Sequence, residues 1–168
     1  MRKWLSQPVC AVLALSALTE AFGTELPFRS LDKGGYSGIA QATNLVIQST
    51  GEWAALWKRH QGTVDPTAPM PAVDFGKEMV VAVAMGRKPT GGYSIKVRRI
   101  ETTPSHLRIF VTERTPGPGD LVTQAFTAPF HFVAVPRSSL KPDFVRETES
   151  NGGGKPRPNS ASTPRSRE

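Results

Sequence analysis

The chain has 168 residues, a formal charge of +7, 15 Gly, 15 Pro and a single Cys. This length allows one domain with at most an appendage. The lone Cys excludes an intramolecular disulfide, a Cys-cluster metal site and Cys-pair redox chemistry. Of the charge, +1 falls in residues 1–23, +2 in residues 146–168 and only +4 in the 122 residues between them. That is an ordinary basic surface, so no nucleic-acid partner is expected.

Arg2 and Lys3 precede an apolar run over residues 9–18, and Ala21 and Gly23 then offer small residues before Thr24. This pattern predicts a secretory signal peptide over residues 1–23, hence an exported protein, periplasmic or extracellular. The apolar run is too short to span a bilayer, which takes about 20 residues. Stable membrane insertion is therefore not expected. Cys10 stands at the start of the apolar run, most of which follows it, so it is read as filler that leaves with the signal.

Residues 24–41 read as a lead-in segment and residues 42–145 as one β-rich domain. The first strand is expected over residues 42–48. Ser49-Thr50-Gly51-Glu52 then forms a capping box, in which the Ser and Glu side chains satisfy free amides at a helix start. Trp53, Leu56, Trp57 and His60 follow on one helical face, with Gly62 as the stop. A Pro-rich connector over residues 65–71 leads to the run 79–85, which is apolar at every position and reads as a central strand buried on both faces.

Tyr93, Ile95 and Val97 alternate with polar residues, as do Leu107, Ile109 and Val111, the signature of strands wet on one face. Residues 121–126 and 130–135 are expected as further strands. From residue 146 the chain is rich in Gly, Pro, Ser and Arg, and the large apolar residues end at Val145; a disordered tail over residues 146–168 follows, able to make weak contact with anionic envelope components. The expected fold is mainly β with one helix: an antiparallel β-sandwich or partly open barrel with one short amphipathic helix packed on it.

Catalytic signatures are sparse. His60, His106 and His131 have no metal-ligand spacing, and neither a phosphate loop nor a Gly-x-Ser-x-Gly elbow is present. Gly35-Tyr36-Ser37-Gly38 and Gly92-Tyr93-Ser94 are near misses. No catalytic residue, metal or cofactor is expected. Two loops stand out instead: Lys88-Pro89-Thr90-Gly91-Gly92-Tyr93 and Pro116-Gly117-Pro118-Gly119, stiff and Gly-rich, of the kind that display binding surfaces on a rigid sheet. In this reading Gly91 and Gly92 expose main-chain amides to an extended partner segment and Tyr93 serves as aromatic anchor.

The motifs Glu52-Trp53-x-x-Leu56-Trp57-x-x-His60, Asp74-Phe75-x-x-Glu78-Met79, Lys88 to Ser94, Pro116 to Gly119 and Thr123-Gln124-Ala125 to His131 occur here in order. In them the chain resembles the C-terminal domain of the protease-complex subunit PrcB family, over residues 44–140. The resemblance implies a bacterial envelope protein whose namesake is an accessory subunit of a surface protease complex. The loop from Pro89 to Tyr93 is also similar to one loop of chagasin-type cysteine-protease inhibitors, which are Ig-like sandwiches; Lys88 stands where those have Asn. The leading expectation is an exported, non-enzymatic protein-binding module with a protease as partner. Two other readings stand beside it: a cell-surface structural or anionic-polymer-binding module, and an envelope hydrolase built from Ser94, Asp120 and His131.

Overall fold

A computed structural model describes residues 23–62 and 67–148. The expected signal peptide, apart from Gly23, and the expected tail beyond Thr148 lie outside the described residues. Eight strands and one helix follow in the order β1 (Thr24–Glu25), β2 (Arg29–Gly34), β3 (Ala42–Ile47), α1 (Thr50–Gln61), β4 (Glu78–Met85), β5 (Ser94–Thr102), β6 (His106–Arg114), β7 (Phe130–Pro136) and β8 (Lys141–Thr148). They form two four-stranded sheets, ordered β1-β5-β6-β8 and β2-β7-β4-β3. The fold is mainly β and sandwich-like, as expected, with no closed barrel.

β4 and β7 explain the layering. Met79, Val81, Val83 and Met85 of β4, with Val133 and Val135 of β7, meet Ile95, Val97, Ile100, Leu107, Ile109 and Val111 of the other sheet. The intervening residues Val80, Ala82, Ala84, Phe130 and Phe132 face the opposite way, against Trp53, Leu56 and Trp57 of α1. The period-2 alternation of a strand thus feeds two cores, so neither strand has a wet face.

The helix forms where the capping box places it. Glu52 N donates to Ser49 Oγ at 3.3 Å, and Glu52 Oε2 accepts from Gln48 N at 3.2 Å. Gly62 closes the other end with a positive φ of 47°, its amide bonded to Lys58 O. Trp53 stands edge-on to Phe132 with ring centroids 5.7 Å apart, and its indole N–H donates to Pro71 O at 3.1 Å. Burial and a satisfied polar handle together dock a helix too short to be stable alone.

Three expectations need correction. The segment read as a lead-in over residues 24–41 contains β1 and β2, which pair antiparallel with β5 and β7. Its few apolar residues pack on the two cores, Leu26 and Phe28 on one and Leu31 on the other. Ile39 is buried as well. Secondly, residues 121–126 form a loop: Leu121 and Phe126 are turned to solvent, and the segment joins no sheet. The segment lies instead against the 88–92 turn, where Thr123 O accepts from Gly91 N at 2.9 Å.

Thirdly, residues 141–148 are a strand. β8 runs parallel to β6, the exception among otherwise antiparallel pairs, so the ordered domain extends past residue 145 into the expected tail. Its charges concealed it, and they sit opposite partners: Arg108 lies 3.8 Å from Asp143, and Arg146 lies 3.5 Å from Glu113. Phe144 and Leu140 reach the core.

Truncating Trp53 to Ala removes a wholly buried side chain that links helix to sheet. The expected loss is about 3–5 kcal/mol of unfolding free energy, measured by urea titration.

Candidate functional site

Three loops and the end of α1 meet at one end of the sandwich: residues 35–41 between β2 and β3, 86–93 between β4 and β5, and 115–129 between β6 and β7. Lys88 N donates to Thr127 O at 2.7 Å and Thr127 N returns a bond to Lys88 O at 3.0 Å. Thr127 Oγ1 donates to Thr90 O at 2.7 Å, and Gly91 N to Thr123 O at 2.9 Å. The two loops singled out in the sequence are therefore joined in one surface.

Within that surface several expected contact residues have internal duties. Gly91 is buried, its amide is occupied by Thr123, and a side chain there would collide with Thr123 Oγ1. Gly92 adopts a φ of +85°, and a Cβ would come within 2.8 Å of Val122 and 3.0 Å of Pro116. These glycines let residues 116–123 lie on the turn; the Gly91 amide is not open to a partner strand. Tyr93 is half-buried against the inter-sheet core, and the Lys88 ammonium lies 5.5 Å from its ring centre. Pro116 and Gly117 are half-buried, and Pro89, Pro118 and Gly119 are exposed. Asp120 caps its own turn by accepting from Gly117 N at 3.0 Å, and it pairs with Arg114 at 3.5 Å.

The loop packing leaves different apolar groups outside. Leu121 is fully exposed, Phe126 is 67% exposed and Tyr36 is 58% exposed. Arg87 lies over the Phe126 ring at 5.6 Å. Tyr36, Ser37, Arg87 and Phe126 line an open cavity of about 360 Å³. Sequence reasoning missed Tyr36, and it gave Leu121 and Phe126 to a strand. The available signal was the position of Tyr36 between glycines and of Leu121 just after a Pro-Gly-Pro-Gly-Asp turn.

His131 faces inward between the sheets. Its Nδ1 accepts from Val97 N at 3.0 Å, and its Nε2 lies 3.0 Å from Ser30 Oγ. An Nδ1 that accepts is unprotonated, so Nε2 carries the hydrogen and donates it to Ser30. Burial, with Lys33 adding to it, pushes the imidazole pKa down to about 4. The hydrolase built from Ser94, Asp120 and His131 is excluded: His131 is buried and holds Ser30 and Val97, and Asp120 holds Gly117 and Arg114.

His60 makes a different array. Its Nε2 lies 3.1 Å from Asp32 Oδ2 and its Nδ1 lies 3.0 Å from Ser37 Oγ. The carboxylate can only accept, so Nε2 carries the hydrogen and Nδ1 accepts from the Ser37 hydroxyl. Burial lowers the His60 pKa, outweighing the neighbouring Asp32 that raises it. A bulge in β2 makes the array possible. Ser30 pairs with Val133 but Asp32 pairs with Phe132, leaving Leu31 as an extra residue. In a regular strand, Ser30 and Asp32 would share the inter-sheet face; here Asp32 lies opposite Phe132, on the helix side.

Among the described residues, no group of three or more His, Cys, Asp or Glu side chains is placed to hold a metal ion. No helix among them is long and apolar enough to cross a membrane. Fold and site together define a helix-backed β-sandwich domain that displays loops at one end. Residues 79–136, from β4 through β7, match the family model described as PrcB C-terminal. Over that stretch the resemblance read from the sequence is borne out. No curated protein and no solved structure matches the chain.

Two measurements check this account. Gly92→Val should lose about 1–3 kcal/mol through backbone strain and collision, whereas Gly119→Ala, with open space around the added methyl, should stay within about 0.5 kcal/mol. For His131, the unfolded chain binds a proton below about pH 6.5 that the folded protein refuses until about pH 4. Stability from this group is therefore complete above pH 6.5 and falls as pH drops towards 4, by up to roughly 3 kcal/mol. His60 acts in the same direction, so His131→Gln should flatten the slope of unfolding free energy against pH without abolishing it.

Proposed function

We propose that this chain is an exported protein-binding module that acts as accessory subunit or modulator of an envelope protease, through the loop end of the sandwich. The observation that carries the reading is that Leu121, Phe126 and Tyr36, large apolar groups on two of the loops at this end, are left in solvent, Tyr36 and Phe126 on one cavity. A folded chain gains by burying such groups, and a cluster of them at one end is the usual mark of an interaction surface. Pro89, Pro118 and Gly119, on the same set of loops, are exposed as well. The main-chain bonds between residues 88–91 and 123–127 hold the surface in shape before any partner arrives, which lowers the entropic cost of association.

The match of residues 79–136 to the PrcB C-terminal family supports a protease-associated role. In this reading Leu121 and Phe126 replace Tyr93 as anchors, and Lys88, Thr90, Gly91 and Gly92 form the turn on which the 116–123 segment lies. A polymer-binding role would rest on charge, and Arg87 is the basic group that lines the cavity at this end.

Capture from envelope extract with the tagged chain tests the reading. The unaltered protein should retain a protease-containing set of proteins that the doubly substituted Leu121→Ser, Phe126→Ser chain loses, with both chains folding alike by circular dichroism. Retention should persist at about 0.5 M salt, where the screening length is only a few ångströms. Identical sets from both chains would refute the assignment.

A further inference from the structure

The Asp32–His60–Ser37 array sets a hydroxyl hydrogen on a neutral imidazole at a residue that lines an open cavity, and the same Oγ accepts from Ile39 N at 3.1 Å. Asp32 Oδ2 accepts from His60 Nε2 at 3.1 Å, and His60 Nδ1 accepts from Ser37 Oγ at 3.0 Å. The His60 ring is fixed between Phe130, at 4.3 Å between centroids, and Trp57, at 5.0 Å. Ser37 is half-buried and lines the 360 Å³ cavity with Tyr36, Arg87 and Phe126. Nucleophile, base and orienting carboxylate thus stand in the relation that activates a serine hydroxyl, recognised by geometry and role and independent of order in the chain.

We propose that Ser37 is a nucleophile towards small carboxylic esters, with His60 as its base and Asp32 as the group that holds and electrostatically supports the imidazole. Ser37 Oγ forms a bond to the ester carbonyl carbon as its proton passes to His60 Nδ1. The carbonyl π pair moves onto oxygen, where Arg87, lining the same cavity, supplies positive charge. Collapse of this adduct breaks the bond to the alcohol oxygen, which leaves with the proton from Nδ1, and the acyl group remains on Ser37. Water then gives a proton to Nδ1 and attacks the acyl carbon. Ser37 Oγ departs and regains that proton, releasing the acid. His60 Nε2 keeps its hydrogen on Asp32 throughout, so the imidazolium formed in each half faces a carboxylate. Tyr36 and Phe126 wall the cavity with aromatic surface, which suits short acyl or aryl esters.

The array also ties the 35–41 loop to the end of α1, where Gly38 N donates to His60 O at 2.7 Å. A purely mechanical tie needs no reactivity at Ser37, and covalent labelling separates the two. The full chain is treated with diisopropyl fluorophosphate, which forms a Ser Oγ–P bond with loss of HF, and adducts are mapped by mass spectrometry. The expected result is an adduct on Ser37 that is absent in Ser37→Ala and forms on the order of 100-fold more slowly in Asp32→Asn. The labelling rate should rise with pH as His60 loses its proton, with a midpoint below the ordinary imidazole range. Hydrolysis of p-nitrophenyl acetate should follow the same pattern. Absence of an adduct on the folded wild-type chain, or labelling unaltered in Ser37→Ala, would overturn the proposal. Both variants leave Leu121 and Phe126 intact, so failure here leaves the binding role standing and failure of capture leaves this site standing.

Discussion

The sheet β2-β7-β4-β3 is covered on both faces, by the second sheet on one side and by α1 on the other, and every other feature is arranged around that confinement. A central strand in such a layer has no solvent side, so each position in β4 from Met79 to Met85 is buried and apolar. β7 obeys the same rule from Phe130 to Val135 with one polar exception, His131. A polar group there is tolerable only with both ring nitrogens engaged, and Ser30 and Val97 provide the partners from β2 and from the opposite sheet. The histidine is thereby a peg between the layers. Its neutrality is a condition of the packing, because a proton on Nδ1 would set two donors against each other.

Much of this was legible where the chain obeys one clear period. The unbroken apolar run of β4, the capping box at Ser49 and the Trp53/Leu56/Trp57/His60 face predicted a doubly covered strand and its covering helix, and the alternation of β5 and β6 predicted strands with one core face. Legibility failed where the deciding contact is long-range. β2 contributes a single core residue, Leu31, and reads as polar because its stability comes from pairing with β7. The last residues of β8, 146–148, read as tail because the charge of Arg146 is matched across the sheet, by Glu113. The opposite error befell residues 121–126, whose apolar side chains suggested burial although the segment lies on the 88–92 turn and joins no sheet.

The loop end shows the same division. Glycine and proline content drew attention to residues 88–93 and 116–119, and the two do form one surface. Composition gave no means of knowing that Gly91 is buried and that a side chain on Gly92 would strike the neighbouring loop, because a glycine that admits a partner and one that admits the chain's own neighbouring loop are the same letter. Their smallness serves the internal contact with Thr123, Val122 and Pro116, and the solvent-facing chemistry passes to Tyr36, Leu121, Phe126 and Arg87. The near-miss motif Gly35-Tyr36-Ser37-Gly38 was visible, but its acid and base lie on a strand and a helix that only the fold unites.

The bulge at Leu31 reaches both layers that flank its sheet. An added residue in a strand reverses the facing of everything that follows it, so β2 is in effect two half-strands of opposite polarity. Its first half serves the interior between the sheets through Ser30, and its second half serves the helix through Asp32. One insertion thus lets a six-residue edge strand secure two separate histidines, each in a different layer. The same insertion makes the placement of both polar clusters a matter of counting along the chain, so that losing or gaining one residue here would exchange their sides while leaving the composition of β2 almost untouched.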